Sequence, residues 1–253
     1  MFDETSRLDK LGKTNMDLKG QRIIVMGGSS GIGRATAELL HQQGAEVIVT
    51  GRSAEKLTTF AAMAPLRAVQ VDATDRTALD SLFAEIGPID HLVVCVSGGE
   101  GAGPFASLDL DSVRRAFAAK TFAQLEVVQA ALPTLRSSGS VTLITAGSAQ
   151  AALPGTVGLA AVNGALEAAI RPLATELAPV RVNAVSPGVV DTAWWGSMPP
   201  EQRSAFFADL TSRLPLAHIA HPDEIAATIM LLIGSTYVTG QVIAADGGLH
   251  LAR

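Results

Sequence analysis

"RIIVMGGSSGIGRATAELLHQQG", residues 22 to 44, decides how the rest of the chain is read. It opens on a short β-branched run, turns through glycines at 27, 31 and 33, and continues with apolar residues at helical spacing up to a stop signal at Gly44. The order is strand, turn, helix. Glycine permits positive φ and lets an anion approach where a Cβ would stand, and the first turn of a helix presents N–H groups to negative charge. The stretch therefore predicts a phosphate cradle formed by Gly27, Ser29, Ser30, Gly31, Ile32 and Gly33.

The alternation continues down the chain. "EVIVT" is followed by a helix from Ser53, "RAVQV" by one from Thr74, and "HLVVCV" by a long one from about Asp109 to Leu135. "SVTLIT", a helix through 157 to 177, "VRVNAV", a helix near 222 to 233 and "GQVIAA" complete the series. Apolar strands without a polar face, each separated by a helix, imply a parallel sheet covered on both sides. Right-handed crossovers make it doubly wound. The predicted fold is a single α/β domain of about seven strands over residues 18 to 253, preceded by a flexible arm at 1 to 17, where the sequence is polar and aperiodic.

Composition narrows the function. A 253-residue chain with 48% hydrophobic residues holds one large core. A formal net charge of -5, with no Lys/Arg cluster, argues against nucleic acid as a partner. One cysteine, Cys95, allows no intrachain disulfide and suits a reducing cytoplasm. No apolar run approaches a bilayer span, so a soluble, unprocessed cytoplasmic protein is expected. His218 and His221 are three apart, but Pro222 starts a new helix and no third ligand is in sight, so no metal is expected. Asp223 and Glu224 suit that helix's first turn as dipole partners.

The end of the second strand bears on which dinucleotide would be bound. Sheets that bind NAD usually carry an acid there, about 20 residues past the glycines, for the ribose hydroxyls. Here the position is Gly51, followed by Arg52. Without a carboxylate to repel a 2′-phosphate, and with a guanidinium to grip it, NADPH is favoured and NADH is the alternative.

The glycine spacing resembles that of the short-chain dehydrogenase/reductase family, and further motifs follow in the right order from Leu18 to Leu249. "RVNAVSPGVVDT" is similar to the family's loop over the nicotinamide carboxamide, which implies cofactor roles for Pro187, Gly188, Val190 and Thr192. "YVTGQVIAADGG" resembles the last strand, with Gly240, Asp246 and Gly248. Asp72 resembles the residue that bonds the adenine amino group, although its surroundings also suit a helix cap. The resemblance implies a Rossmann-type fold, a small-molecule substrate and a homo-oligomer, tetramer or dimer, built on the two long helices.

The same resemblance breaks at the chemistry. The family reduces carbonyls with a Tyr acid, a Lys four positions later, a Ser on the substrate oxygen and an Asn that positions water. In "LAAVNGALEA" the Tyr and Lys positions are Leu159 and Asn163; the Ser position is Ala146, and the Asn position is Lys120. The motif that ends the family's fourth strand reads Val94, Cys95, Val96, Ser97. Tyr237 is the only tyrosine and lies far along the chain, so neither the usual spacing nor the wider one of enoyl reductases is available. Lys120 is the candidate substitute, holding cofactor or donating a proton, and Thr145 and Ser148 are candidates for the substrate oxygen. Trp194 and Trp195 fall in the variable substrate loop, in the polar, Pro-bounded "WWGSMPPEQ". Two readings follow: an NADPH-dependent oxidoreductase with an altered site, or a catalytically inactive dinucleotide-binding protein acting as a redox sensor or partner of an active paralogue.

Overall fold

The computed structural model describes residues 18–63 and 66–252, so the arm expected at 1 to 17 lies outside the described residues. Seven strands form one sheet in the order β3-β2-β1-β4-β5-β6-β7: β1 (Arg22–Met26), β2 (Glu46–Gly51), β3 (Arg67–Gln70), β4 (Ile89–Val94), β5 (Leu135–Ile144), β6 (Arg181–Pro187) and β7 (Val242–Ala245). Every pairing is parallel. The expected doubly wound parallel α/β sheet is the fold.

Strand side chains alternate between two buried faces, which explains the lack of polar alternation in the sequence. Ile24, Met26, Ile48, Leu92 and Leu143 meet Leu79, Phe83, Val127, Leu166 and Ile170 on one side. Those helical residues come from α3 (Arg76–Ile86), α5 (Ala123–Ala131) and α6 (Val157–Glu176). Ile23, Val25, Val49 and Val93 meet Leu40, Phe60, Ile225 and Ile229 on the other, from α1 (Gly31–Gln42), α2 (Ala54–Met63) and α8 (Pro222–Gly234). Arg181 donates from both terminal nitrogens to the carbonyls of Leu232 and Ile233, satisfying the last turn of α8 with a cation where the helix dipole favours one.

Two elements differ from expectation. The helix placed over 109 to 135 is divided into α4 (Leu110–Ala116), a π-helical turn at Phe117–Phe122 and α5, which stops at Ala131; Leu135 already belongs to β5. A π turn inserts one residue into the ladder and rotates what it carries, a device frequent at functional sites. The second is α7 (Pro200–Arg213), whose first three residues fall in the stretch "WWGSMPPEQ" read as a loop. Pro200 stands in its first turn, where a missing N–H costs nothing, and Phe206, Leu210 and Leu214 pack with Leu153 and Leu249.

Candidate active site

The chain runs outward from β1 to β3 and then returns to β4, so the sheet's direction of winding reverses beside β1. Ligands of open α/β sheets bind at such a reversal, beyond the carboxyl ends of the strands. A cavity of about 850 Å³ lies there, and it brings together the glycine turn, the β2 end, the β5 end, the π turn and the loop after β6.

The glycine turn is shaped by contacts that exclude side chains. A Cβ on Gly33 would lie 2.3 Å from the Gly27 carbonyl oxygen, so α1 can begin against the turn only with glycine there. Gly31 has φ +53° and faces Thr192, whose methyl carbon would be 3.2 Å from a Cβ, so the loop after β6 closes onto the cradle. Ser30 caps α1 with its backbone alone; its hydroxyl makes no cap hydrogen bond. Backbone amides, the positive end of a twelve-residue helix and a hydroxyl thus face one space. These features fit a dinucleotide's phosphates, and Gly27, Ser29, Ser30, Gly31, Ile32 and Gly33 all line the cavity.

At the β2 end, Arg52 is exposed and lines the same cavity, while a Cβ on Gly51 would meet the Ser29 hydroxyl at 3.0 Å. Asp72 also lines it. Its Oδ1 accepts from the Thr74 amide at 3.0 Å and hydroxyl at 2.9 Å. The amide bond is the main reason its carboxyl is held below the usual range, with the Thr74 hydroxyl and the Arg52 charge adding to it. Pro187, Gly188, Val190 and Thr192 line the opposite wall.

Lys120 is drawn into the cavity by the π turn. It is 7% exposed, and its Nζ donates to the Thr145 carbonyl at 3.0 Å. Burial pushes its pKa down to about 8, against smaller opposing effects from Cys95 and Glu167. Burial likewise pushes the Cys95 thiol up to about 12, so the group beside Lys120 is a neutral thiol at physiological pH. The Thr145 hydroxyl, a candidate for the substrate oxygen, donates instead to Glu167 Oε1 at 2.9 Å and approaches the Val185 carbonyl at 3.3 Å. Its single proton is committed, and the part of Thr145 that meets Lys120 is its carbonyl. Ser148, half-buried, remains a cavity-lining hydroxyl.

Glu167 was not among the residues singled out from the sequence. It accepts from Thr145 and Ser186 hydroxyls at Oε1 and from Gln150 Nε2 at Oε2. Its position, two helical turns past Leu159 on the face that carries Asn163, was the available signal.

The tryptophans do different jobs. Trp194 is exposed, and its Nε1 reaches the Gly98 carbonyl at 3.5 Å across the cavity mouth. Trp195 donates to the Val190 carbonyl at 3.0 Å and packs on Phe206 and Phe207, with centroids 5.2 and 5.7 Å away. An Arg203–Asp191 ion pair joins α7 to the same loop. The histidine pair is engaged elsewhere. His218 bonds Glu224 at 3.0 Å, and His221 caps α8 with its ring nitrogen 3.0 Å from Asp223.

The family model described as Enoyl-(Acyl carrier protein) reductase matches residues 27–250. The chain belongs to the short-chain dehydrogenase/reductase family. It is 30% identical over 262 residues to short-chain dehydrogenase/reductase ATR9 of Stachybotrys chlorohalonatus, covering 92% of this chain and 98% of that one. It is 30% identical over 247 residues to L-xylulose reductase of Bos taurus, covering 92% and 98%. Among solved structures, a small-chain dehydrogenase in complex with NADPH superposes with a TM-score of 0.81 at 29% identity, covering 92% of this chain and 99% of that one. Ala146, Leu159 and Asn163, where the sequence reading expects the family's Ser, Tyr and Lys positions, all line the cavity. Tyr237 is 99% exposed and is not among the residues that line the cavity.

Proposed function

We propose that the chain is an NADPH-preferring oxidoreductase of this family whose active site is altered, with Lys120 delivering the proton. The observation that carries the reading is the Lys120 amine, buried in the cavity at the strand ends and held by the Thr145 carbonyl. Gly27 to Gly33 would hold the dinucleotide's phosphates, Arg52 its 2′-phosphate, and Pro187, Gly188, Val190 and Thr192 its nicotinamide side. When bound, that dinucleotide supplies a hydride.

An ammonium with a pKa near 8 stays mostly protonated at neutral pH, yet releases its proton with little cost, which is what a general acid requires. Trp194 spans the mouth and limits water. With Leu159 and Ala146 in place of Tyr and Ser, substrates needing modest acid assistance fit best: activated C=C bonds, imines and quinone-like groups. Exposed apolar side chains on the two long helical segments, Leu110, Phe122 and Val157, agree with a homo-oligomer.

Oxidation of NADPH against a panel of quinones, activated alkenes and imines tests this. Turnover should fall as pH rises through about 8, following Lys120 deprotonation. Lys120→Ala should lower it by roughly 10²- to 10⁴-fold. Unchanged turnover and unchanged NADPH affinity in Lys120→Ala would refute the assignment.

A further inference from the structure

Asn163 lies one turn beyond Leu159 on the cavity side of α6 and is 3% exposed. Its Nδ2 donates to the Leu159 carbonyl at 2.8 Å and to Ser148 Oγ at 3.2 Å. A carbonyl accepts only, so the nitrogen must face it, and the amide's orientation is fixed. The oxygen is left over. Asn163 Oδ1 is buried without a hydrogen-bond partner. Among the described residues, the other buried side-chain atoms in that condition belong to Arg22, Gln124 and Thr142, none of which lines the cavity. A buried acceptor without a donor is costly and calls for an explanation, and a ligand that brings the donor supplies one.

Ser148 Oγ, having accepted from Asn163, keeps its own proton to give. The two side chains therefore present one acceptor and one donor side by side. A hydroxyl is their complement: its O–H donates to Asn163 Oδ1 while its oxygen accepts from Ser148. A ketone would leave Asn163 unsatisfied, a carboxylate would face its oxygen with like polarity, and an ammonium could take nothing from Ser148. The same cavity is also lined by the apolar side chains of Leu153, Leu159, Trp194 and Phe206.

We infer that Asn163 and Ser148 read a hydroxyl group on an apolar ring substrate, distinct from the group that is reduced. This rests on the reading of the cavity as an oxidoreductase substrate site. A ribose hydroxyl of a bound dinucleotide offers the same O–H, so the experiment separates the two sources.

The probes are para-fluorophenol and fluorobenzene, followed by fluorine NMR on the full chain with and without NADP. Fluorobenzene leaves water more readily, so a preference for the phenol reports hydrogen bonding. Wild type should bind para-fluorophenol about tenfold more tightly than fluorobenzene, the effect of one satisfied hydrogen bond. Asn163→Leu, close in shape, should abolish the preference, and Ser148→Ala should reduce it, both with fluorobenzene affinity unchanged. Equal binding of the two probes by wild type, or an undiminished preference in both variants, overturns the inference. So does a loss of NADPH affinity in Asn163→Leu with affinity for adenosine 2′,5′-bisphosphate retained, since the hydroxyl would then be the cofactor's. If Asn163→Leu does not fold, as judged by thermal unfolding, Ser148→Ala decides. Failure of wild type to bind NADPH at all would refute the oxidoreductase reading instead, and the probe ratio on the free protein would still be read.

Discussion

Replacing Lys120 by Met should make the protein more stable at neutral pH. In the folded state burial lowers the lysine's pKa to about 8, against 10.5 for an exposed lysine. Below pH 8 both folded and unfolded chains hold the proton, and the folded chain bears the full cost of a buried charge. Between the two values the unfolded chain still binds a proton that the folded chain has released, so stability rises with pH across that window. At about 1.4 kcal/mol per pKa unit, the difference amounts to roughly 3 kcal/mol carried against the fold at pH 7. Met keeps the unbranched stem and removes the charge, leaving the Thr145 carbonyl without its donor at a cost of about 1 kcal/mol. The net expectation is a gain of about 2 kcal/mol at pH 7 that disappears as pH approaches 10.5. Urea unfolding of both proteins at pH 7 and pH 10 measures it, using the linear dependence of stability on denaturant. A variant less stable than wild type at pH 7, or a difference that does not vary with pH, would refute the argument that Lys120 is a buried, partly charged amine. A group that lowers stability is retained where function needs it, which ties this measurement to the catalytic reading.

Three further outcomes are expected. Arg52→Asp should reverse the coenzyme preference from NADPH to NADH, because it removes the guanidinium and places a carboxylate where ribose hydroxyls would lie; unchanged relative affinities in a fluorescence titration would show that Arg52 points elsewhere. Gly33→Ala should abolish dinucleotide binding, since its Cβ would stand 2.3 Å from the Gly27 carbonyl oxygen, and retained affinity would contradict the packing described for the cradle. His91 is buried against Ser140 and Gln21, and burial pushes its pKa down to about 4 from 6.5. The unfolded chain therefore takes up a proton first as pH falls, and stability should drop by about 3 kcal/mol between pH 6.5 and pH 4. His91→Leu should flatten that part of the stability profile, and an equally steep profile in the variant would count against it.

The fold was legible because its signals are local. Each strand is a short apolar run closed by a turn, and the cradle is a glycine pattern whose tightest contact, Gly33 against the Gly27 carbonyl oxygen, lies within seven residues. The active-site geometry was less so. That Lys120 enters the cavity depends on the π turn at Phe117–Phe122, which has no compositional signature, since "RRAFAAKTF" reads as ordinary helix. Helix α7 was hidden for a different reason: only Leu210 is fully buried along it, so its periodicity is weak, and the prolines before it suggest a loop. Pairings across the fold, such as Asn163 with Ser148 and Thr145 with Glu167, join elements whose approach only the tertiary structure supplies. Thr145 shows the consequence, because a hydroxyl that is free in the sequence is spent on a carboxylate 22 positions away.

The central claim is that this cavity holds NADPH in preference to NADH beside an amine acid. Titration of the purified protein with each nucleotide, followed by nicotinamide fluorescence and checked by thermal unfolding, tests it most directly. The account predicts micromolar binding of NADPH, weaker binding of NADH, and stabilisation of roughly 2.7 kcal/mol when NADPH is present at 100 times its dissociation constant. Binding of neither nucleotide, or a preference for NADH, would contradict it.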